Sequence, residues 1–559
     1  MRASLLILSI YCFVFSYTPD VTVGSGGDFA TINAVIDKID SINTAYSESD
    51  TVYVMVQSGT VLTERTIIDS CGSSDLHWYI YAETRPDITF PDNSDTIQTG
   101  QAVHIATYDG TNAYLNNQSD VVKTSGFDFD DSCRYVTLDG FEITDIGSGW
   151  RGAIDLNKCS HVTIKYCYIH ELCPDLNLCG GIAGAGGNTD SITVEYNTFW
   201  RVEEIAISAI GSNWICQYND ISHGSDFNWC DSARVGGDAD GHRFFGENHI
   251  FRYNYIHDYI ELDETSGAAH TDAFQSFTNT YQTENIYIYG NTIKNMRQLG
   301  IIEDVHEENT GVSWINKIYI YNNVINNVRA TGIILYDCDS SIISNNTFFD
   351  NNGDVEQAFR LSTRGGLATG SNYAIVKNNI FYRCPEIPFA SSSTGTVCDY
   401  NIYYPDYSGY QDDGWNANSI NNVNPLFTDT LTDDFTLNSE SPCIDLADSA
   451  LISSLIDRDI NNSIRVWENG TSDAGANLYE SIVYQGVHTV YDTAFAPSGD
   501  TVYFILGVSN LGKVKGYVDY STDLINWDVL DSFDITEGKD TIMSTVGTAH
   551  FRSRGHTYK

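Results

Sequence analysis

The chain has 559 residues, and its acidic residues outnumber the basic ones by 74 to 29, which gives a formal net charge of −45. This length predicts either several domains or one elongated repeat fold. The strongly negative field excludes nucleic acids and anionic membrane surfaces as partners, because both carry the same sign of charge. A polyanionic substrate is compatible with this charge only where cations or a local basic patch intervene.

Residues 1–16 have the pattern of a secretory signal peptide. Arg2 supplies an early positive charge, and the apolar run from Leu5 to Phe15 that follows is too short to span a bilayer. We therefore predict cleavage after Ser16, a secreted mature chain and no insertion into a membrane. The sequence does not determine the oligomeric state.

The cysteines fit an exported protein. One of the 13, Cys12, lies in the signal peptide, which leaves an even number in the mature chain, so disulfides are possible. Four cysteines lie close enough in sequence to pair, namely Cys159, Cys167, Cys173 and Cys179. Their connectivity stays open, and no spacing of cysteines or histidines indicates a zinc site.

One short helix is predicted near the mature N-terminus. Apolar residues recur at helical spacing between Ala30 and Ile39, and Asp28 is the candidate N-cap. Because the rest of the chain is rich in strand patterns, this helix is expected to cap an exposed end of a β-core.

From about Val121 to Tyr404 the sequence repeats a unit of short alternating strands that is punctuated by asparagine. The recurring asparagines are Asn197, Asn219, Asn254, Asn291, Asn323, Asn346, Asn379 and Asn401, with separations of 22, 35, 37, 32, 23, 33 and 22 residues. The smallest separation, 22 residues, predicts the length of one solenoid coil. The longer separations predict extra residues that are looped out between coils. Asparagine at one turn tolerates left-handed backbone and can hydrogen-bond to its equivalent on the next coil. Parallel crossovers are right-handed, so the predicted fold is an all-β, right-handed parallel β-helix.

These asparagine-punctuated coils, together with the Gly24–Phe29 opening and the capping helix, resemble the pectate-lyase-like right-handed parallel β-helix superfamily. The closing segment from Asn424 to Ala476 is similar to the end of secreted bacterial helices of this type. The resemblance implies that residues 17–480 form the β-helix. Residues 481–559 lack the coil repeat, and their strand-like runs predict a small β-sandwich-like accessory domain.

Between Asp240 and His306, three short runs concentrate histidines and carboxylates beneath two predicted long loops, Ser222–Gly237 and Asp258–Ala269. We align Gly241, Thr271 and Gly300 on successive coils and expect His270 and Asp272 to point outward, so that a cleft forms there. The candidate catalytic residues are His242, Arg243, His270, Asp272, Glu303 and Asp304. The candidate substrate-binding residues are Gln275, His306 and Arg360.

Two reactions on a polysaccharide substrate fit these residue types. β-Elimination of a uronate needs a base, a cation that neutralises the carboxylate and a proton donor, which histidines and arginines supply. Glycoside hydrolysis needs two carboxylates. The carboxylates could instead hold Ca²⁺ that bridges to an acidic sugar.

The His270-x-Asp272-x-Phe274-Gln275 pattern resembles secreted bacterial β-helix proteins, and Asn188-Thr-Asp190 and His270-Thr-Asp272 resemble one motif of the polygalacturonases. Lyases are common on this fold, so the leading hypothesis is a secreted polysaccharide lyase. The alternatives are a glycoside hydrolase on the same coils and a non-catalytic carbohydrate-binding surface or adhesion protein. A phage-type tailspike is disfavoured by the signal peptide.

Overall fold

A computed structural model gives the fold. It describes residues 18–47, 49–62, 65–86, 104–105, 126–130, 133–144, 152–172, 180–185, 188–202, 205–224, 239–259, 271–277, 282–296, 299–304, 315–329, 331–336, 338–350, 357–362, 371–384, 394–405, 418–450, 452, 455–456, 458–461, 465, 471–477, 494–496, 501–508, 514–521, 528–535, 538–545 and 549–557. For 104–105, 185, 299–304, 357–360, 362 and 494–557 it describes the backbone alone. The predicted signal peptide lies outside these residues.

Each coil of the chain contributes up to three short strands, and equivalent strands of successive coils pair in parallel. The first strands are Thr66–Ile68, Phe127–Phe129, Ile154–Asn157, Ile182–Ala185, Ile205–Ser212, Asp240–Glu247, Phe274–Phe277, Leu299–Asp304, Thr331–Tyr336 and Gln357–Ser362. The second strands are Val21–Val23, Thr51–Val56, His77–Ala82, Arg134–Asp139, Ser160–Lys165, Thr189–Asp190 with Thr193–Glu195, Ile215–Gln217, Ile250–Arg252, Thr283–Tyr289, Ile315–Tyr321, Ile342–Ser344, Ile375–Lys377 and Val397–Asp399. The third strands are Val61–Leu62, His104–Ile105, Glu142–Ile143, Tyr168–Leu172, Thr198–Val202, Asp220–Ser222, Tyr255–His257, Thr292–Met296, Val324–Val328, Thr347–Phe349, Ile380–Tyr382, Ile402–Tyr404 and Ile420–Asn421.

This pairing confirms the right-handed parallel β-helix. First and second strands together make a 24-stranded sheet, and the third strands make a 13-stranded sheet. The coils begin earlier than the sequence repeat indicates, because Thr51–Val56 already pairs in parallel with His77–Ala82. In the coils whose side chains the structure describes, alternate residues of the strands point into one continuous apolar core.

The recurring asparagines form a buried ladder, as predicted. In each step the backbone N–H of one asparagine donates to the side-chain Oδ1 of the next, over 2.9–3.1 Å. The side-chain Nδ2 donates to the same Oδ1. The expectation of left-handed backbone at these asparagines is wrong, because the residue before each one takes that conformation, for example Tyr196, Tyr218 and Tyr253.

Those left-handed tyrosines build a second column at the outer corner of the helix. The rings of Tyr166, Tyr196, Tyr218 and Tyr253 stack with centroid distances of 4.9–5.2 Å. The column ends at Gly290, which has φ +66° and where a Cβ atom would meet the Tyr253 ring at 2.6 Å. Because ring faces are occupied by neighbouring rings, the column stabilises the corner and offers little face for a sugar.

The N-terminal helical region is divided. One helix spans Ile32–Ile36 and a second spans Ile39–Ala45, and their apolar residues enter the core. The N-cap is Thr31, whose side chain accepts from the Ala34 N–H. Asp28 was predicted for this role, but its carboxylate accepts from Thr22 instead.

A buried arginine in the closing segment donates hydrogen bonds to this segment and to a coil of the β-helix. The Arg465 guanidinium donates to the backbone oxygen of Gly475 over 3.0 Å and to the side chain of Asn322 over 3.2 Å. Burial lowers the pKa of Arg465 to about 10, although nearby Asp459 and Asp473 oppose this effect. Ala447–Asp448 pairs antiparallel with Thr471–Ser472 in the same segment.

The chain divides into two compact units. The first comprises residues up to Pro425 together with Pro442–Asn477, and the second comprises Leu426–Ser441 and Leu478–Lys559. The second unit contains antiparallel strands, which are Phe427–Asp429, Asp434–Leu437, Ala494–Ala496, Thr501–Val508, Val514–Ser521, Asp528–Ile535, Gly538–Thr545 and Ala549–Thr557. Among the described residues, no helix is long and apolar enough to span a membrane.

Candidate functional site

The first strands of the middle coils bring two aspartates into equivalent positions. His242 pairs with Phe274 and Arg243 with Gln275, so Asp240 and Asp272 precede them at the same register position. The Gly241 N–H donates to the Asp272 carbonyl over 2.8 Å, which extends the pairing to this point. Both aspartates are fully buried.

The two carboxylates have different partners. Asp240 Oδ2 accepts from Arg243 Nε over 3.0 Å and also contacts the Nη2 atom in a salt bridge. Asp272 Oδ2 accepts from the neutral amide of Gln275 over 2.8 Å. In both coils the bonding side chain lies three residues after the aspartate. It is a guanidinium for Asp240 and a neutral amide for Asp272.

Arg243 and Gln275 alternate with the core residues along their strands. Their column therefore lies on the outer face of the helix. The Arg243 side chain is 14% exposed, and its guanidinium carbon lies 5.6 Å from the centre of the Phe277 ring. Phe277 contacts Phe245 on the preceding coil edge to face, at 4.9 Å. A cation and an amide of the outer face thus bond to the two buried carboxylates, and an aromatic ring lies beside the cation.

His242 lies in the core, which corrects its prediction as a catalytic residue. Its ring stacks on Phe274 and meets Phe251 edge on. Burial lowers the pKa of His242 to about 3. The ring therefore lies on the core side of its strand, opposite Arg243, and is neutral at neutral pH.

Register places the remaining predicted residues. Glu303 pairs with Ser276 and Leu335, both buried core positions, whereas Asp304 pairs with Phe277 on the outer face. Arg360 pairs with Ile334, in the same outer column as Arg243 and Gln275. The side chains of Glu303, Asp304 and Arg360, and all of His270 and His306, lie outside the described residues.

The predicted alignment of these coils was wrong by two residues. Gly241 lies opposite Ala273, and Thr271 lies before the strand Phe274–Phe277. Phe274 points inward and Asp272, which precedes this strand, is fully buried, so the expected outward position of Asp272 is wrong.

No protein-family model matches the sequence, and no curated protein does so. Three solved structures illustrate what the chain is similar to. An alginate lyase of family PL6, in complex with a trisaccharide, is 11% identical with a TM-score of 0.37, over 72% of this chain and 89% of that one. A tailspike protein of E. coli bacteriophage HK620 is 11% identical with a TM-score of 0.42, over 94% and 87%. The catalytic domain of a GH87 alpha-1,3-glucanase in complex with tetrasaccharides is 12% identical with a TM-score of 0.34, over 73% and 70%.

A histidine on the third strands was missed by the sequence analysis. His257 Nε2 contacts Asp220 over 3.0 Å and its Nδ1 contacts Asp258 over 2.7 Å. Burial opposes the charging of this ring, but the hydrogen bonds and charges of the two aspartates outweigh it and raise the pKa of His257 to about 9. The hydrogen bond from His257 lowers the pKa of Asp258 to about 2. An imidazolium is therefore held between two carboxylates.

The same arrangement occurs on an earlier coil. His170 contacts Glu142 over 3.0 Å and Glu171 over 3.2 Å. Burial again opposes charging, and the two glutamates again raise the pKa of the histidine. The signal in the sequence is a repeated tetrapeptide, Tyr168-Ile-His-Glu171 and Tyr255-Ile-His-Asp258.

Among the described residues, no group of three histidine, cysteine or acidic side chains is arranged to hold a metal ion. The predicted role of Ca²⁺ therefore stays a prediction. Cys159 and Cys167 are buried thiols in this structure, and burial raises the pKa of each to about 12. Cys173 and Cys179, the other two cysteines predicted to lie close enough to pair, are outside the described residues.

Proposed function

We propose that the protein cleaves a polysaccharide by glycoside hydrolysis, with Asp240 and Asp272 as the two reacting carboxylates. One observation carries this proposal. The two aspartates lie at the same register position on successive coils, yet Asp240 is paired with a guanidinium and Asp272 with a neutral amide. Pairs of carboxylates in unequal environments take the acid and base roles in glycosidases.

The unequal partners assign the roles. The positive charge of Arg243 favours the ionised form of Asp240, which suits a nucleophile. Gln275 donates to Asp272 without adding a positive charge, so this bond favours the ionised form less than a guanidinium does, which suits a general acid. In the first step Asp240 attacks the anomeric carbon, the glycosidic bond breaks, and the proton of Asp272 passes to the leaving oxygen. In the second step Asp272 takes a proton from water, which then releases the sugar from Asp240.

The coil spacing predicts the stereochemistry. Neighbouring parallel strands lie about 4.8 Å apart, and retaining glycosidases place their carboxyl groups about 5–5.5 Å apart. Inverting enzymes need a wider gap that admits a water molecule. Adjacent coils therefore favour retention of the anomeric configuration.

β-Elimination, the leading hypothesis from the sequence, becomes the second candidate. His242 was one expected base, but its ring packs against Phe251 and Phe274 in the core, on the opposite side of the strand from Arg243. The observation that still favours elimination is Arg243, a partly exposed cation above an aromatic ring that could face the carboxylate of a uronate. Its proton-transfer groups would have to come from His270 or His306.

Export belongs to this proposal, since a polysaccharide is an extracellular substrate. Mass spectrometry of the protein from its native culture medium should find a mature N-terminus at Tyr17. Retention of residues 1–16 on an intracellular protein would contradict export.

The reaction is tested by incubating the purified mature chain with a panel of neutral and uronate-containing polysaccharides. New reducing ends without ultraviolet absorbance of an unsaturated product support hydrolysis, and NMR of the first product should show retained configuration. Asp240→Asn and Asp272→Asn should each lower kcat about 10³-fold. Asp155→Asn is the matched control, because Asp155 is a buried aspartate three coils upstream in the column of Arg243. Unsaturated products would favour elimination, and binding of a polymer without any cleavage would favour the adhesion protein.

A further inference from the structure

The outer face of the third strands carries polar groups that cleavage at Asp240 and Asp272 does not use. His170, Trp200, Ser222 and His257 stand at equivalent positions on four successive coils. At about 4.8 Å per coil the row extends roughly 14 Å along the helix axis. We call this row, with the side chains beside it on the same strands, the third-strand face.

Two hydroxyl groups on this face have no hydrogen-bond partner within the described part of the chain. They are the hydroxyls of Tyr168 and Ser222. Both residues are nearly fully buried, at 2% and 1% exposure. Buried polar atoms in native proteins are almost always hydrogen-bonded, and on an outer face the hydroxyl of a ligand can supply the missing partner.

The two histidine units at the ends of the row match in geometry. The Tyr168 ring stacks on His170 at 4.1 Å, and the Tyr255 ring stacks on His257 at 3.9 Å. In both, the imidazole bridges one carboxylate from the preceding coil and one from the next residue. This bridging fixes the carboxylates, each of which can accept more than one hydrogen bond.

The later unit is the more open one. Tyr255 is 36% exposed, and the side chains of Asp220 and Asp258 are 32% and 41% exposed. Each unit contains two carboxylates and one imidazolium. Its net charge is therefore negative and repels an acidic sugar. Hydroxyl groups of a neutral sugar can donate to the carboxylates and both donate to and accept from the two unsatisfied hydroxyls.

We propose that the third-strand face is a second carbohydrate-binding site, which takes a neutral polysaccharide chain lying along the helix axis from Tyr168 to His257. The site holds the polymer and takes no part in breaking it. Its existence does not depend on the proposed hydrolysis, because Asp240 begins a first strand and Asp272 lies just before the next one.

The test uses the full mature chain with Asp272→Asn, so that no cleavage interferes. A glycan array of neutral and uronate-containing oligosaccharides of increasing length identifies the probe, and calorimetry with the best-retained oligosaccharide gives its Kd. Tyr168→Phe and Ser222→Ala each remove one hydroxyl and should raise Kd about tenfold. Neither should lower the unfolding temperature, because an unpaired buried hydroxyl contributes no stabilising bond.

Ser276→Ala is the matched control. Ser276 is also a fully buried serine whose hydroxyl has no partner among the described residues, but it faces the core. Its removal should leave Kd unchanged. The proposal is overturned if no neutral oligosaccharide is retained, if only acidic ones are, or if Tyr168→Phe and Ser222→Ala bind as tightly as their parent. A clear fall in unfolding temperature for Ser222→Ala would also overturn it, since it would reveal a structural hydrogen bond.

Discussion

The His242 imidazole lies nearly parallel to the Phe274 ring, with 4.8 Å between centroids and 9° between planes. The two rings occupy consecutive coils of the core column. His249 lies nearby and is equally buried, and its Nε2 contacts the Phe245 carbonyl over 3.1 Å. The stability of the helix in mild acid therefore depends on two buried histidines.

We predict that the free energy of unfolding falls as the pH is lowered from about 6.5. Burial lowers the pKa of His242 to about 3 and of His249 to about 4. Below 6.5 the unfolded state therefore binds protons that the folded state does not, and stability declines down to the folded values. Denaturant unfolding at pH 7 and pH 5 should show a smaller loss for His242→Phe than for the parent. His77→Phe, at an exposed position, is the control, and an equal loss in all three proteins would contradict the prediction.

The opposite pH dependence is expected from His257. Its pKa is raised from 6.5 to about 9, so its contribution is complete below pH 6.5 and is lost as the pH rises through 9. His257→Gln should remove this alkaline loss, measured as the change in unfolding temperature between pH 6 and pH 10. Asp258 acts at the acid end, where its contribution is lost as the pH falls from about 4 towards 2. An unchanged alkaline profile for His257→Gln would refute the assignment.

Arg243→Ala should destabilise the first unit strongly. The substitution leaves Asp240 charged and fully buried without its guanidinium partner. Removing one partner of a buried pair costs about 3–5 kcal/mol. The double variant Asp240→Asn with Arg243→Ala should recover much of this loss, as measured by denaturant unfolding, because no unpaired charge remains. Additive losses would argue against coupling between the two side chains.

Asn254→Ala interrupts the asparagine ladder at its middle. Its Oδ1 accepts from the backbone and side chain of Asn219, and its Nδ2 donates to the Cys216 carbonyl over 2.9 Å. All these groups are buried, so the expected loss is about 3 kcal/mol or more. Asn157→Ala, which removes a bond of 2.9 Å to Asp130 at a partly exposed position, should cost less than about 1 kcal/mol. Equal losses would show that the ladder has no special role.

The scaffold was predictable because its signals are local and repeated. Alternating apolar residues determine which side of each strand faces the core, and Asn197 to Asn401 fix the minimum coil length. The prediction of the helix N-cap was less accurate. Thr31 and Asp28 can both act as N-caps, and only tertiary contacts determine which of them does. Asp28 does not cap the helix because its carboxylate accepts hydrogen bonds from Thr22.

The three runs between Asp240 and His306 were predicted to lie on neighbouring coils, which the pairing confirms, but the alignment of their residues was wrong. The sequence offered Gly241, Thr271 and Gly300 as equivalent small residues, whereas pairing makes Ala273 the equivalent of Gly241. A polar residue such as His242 looks like an outward one until its neighbours Phe251 and Phe274 are known. Burial of a polar side chain depends on packing between coils, which a single strand does not encode.

The third-strand face was missed for a different reason. His170 and His257 are separated by 87 positions in the sequence, and their carboxylate partners come partly from the preceding coil. The repeated Tyr-Ile-His-acid tetrapeptide was visible, but its meaning depends on Glu142 and Asp220, which only the coil register brings into contact.

The asparagine ladder has a consequence for how such a protein can diversify. The same pair of hydrogen bonds forms whether 22 or 37 residues separate two consecutive asparagines. Since the entropy of loop closure grows slowly with length, insertions between coils cost little. Deletion or grafting of a segment between coils can therefore change its sequence and length while the next coil returns to the same register. The ladder lets the ligand specificity of the helix evolve separately from its core.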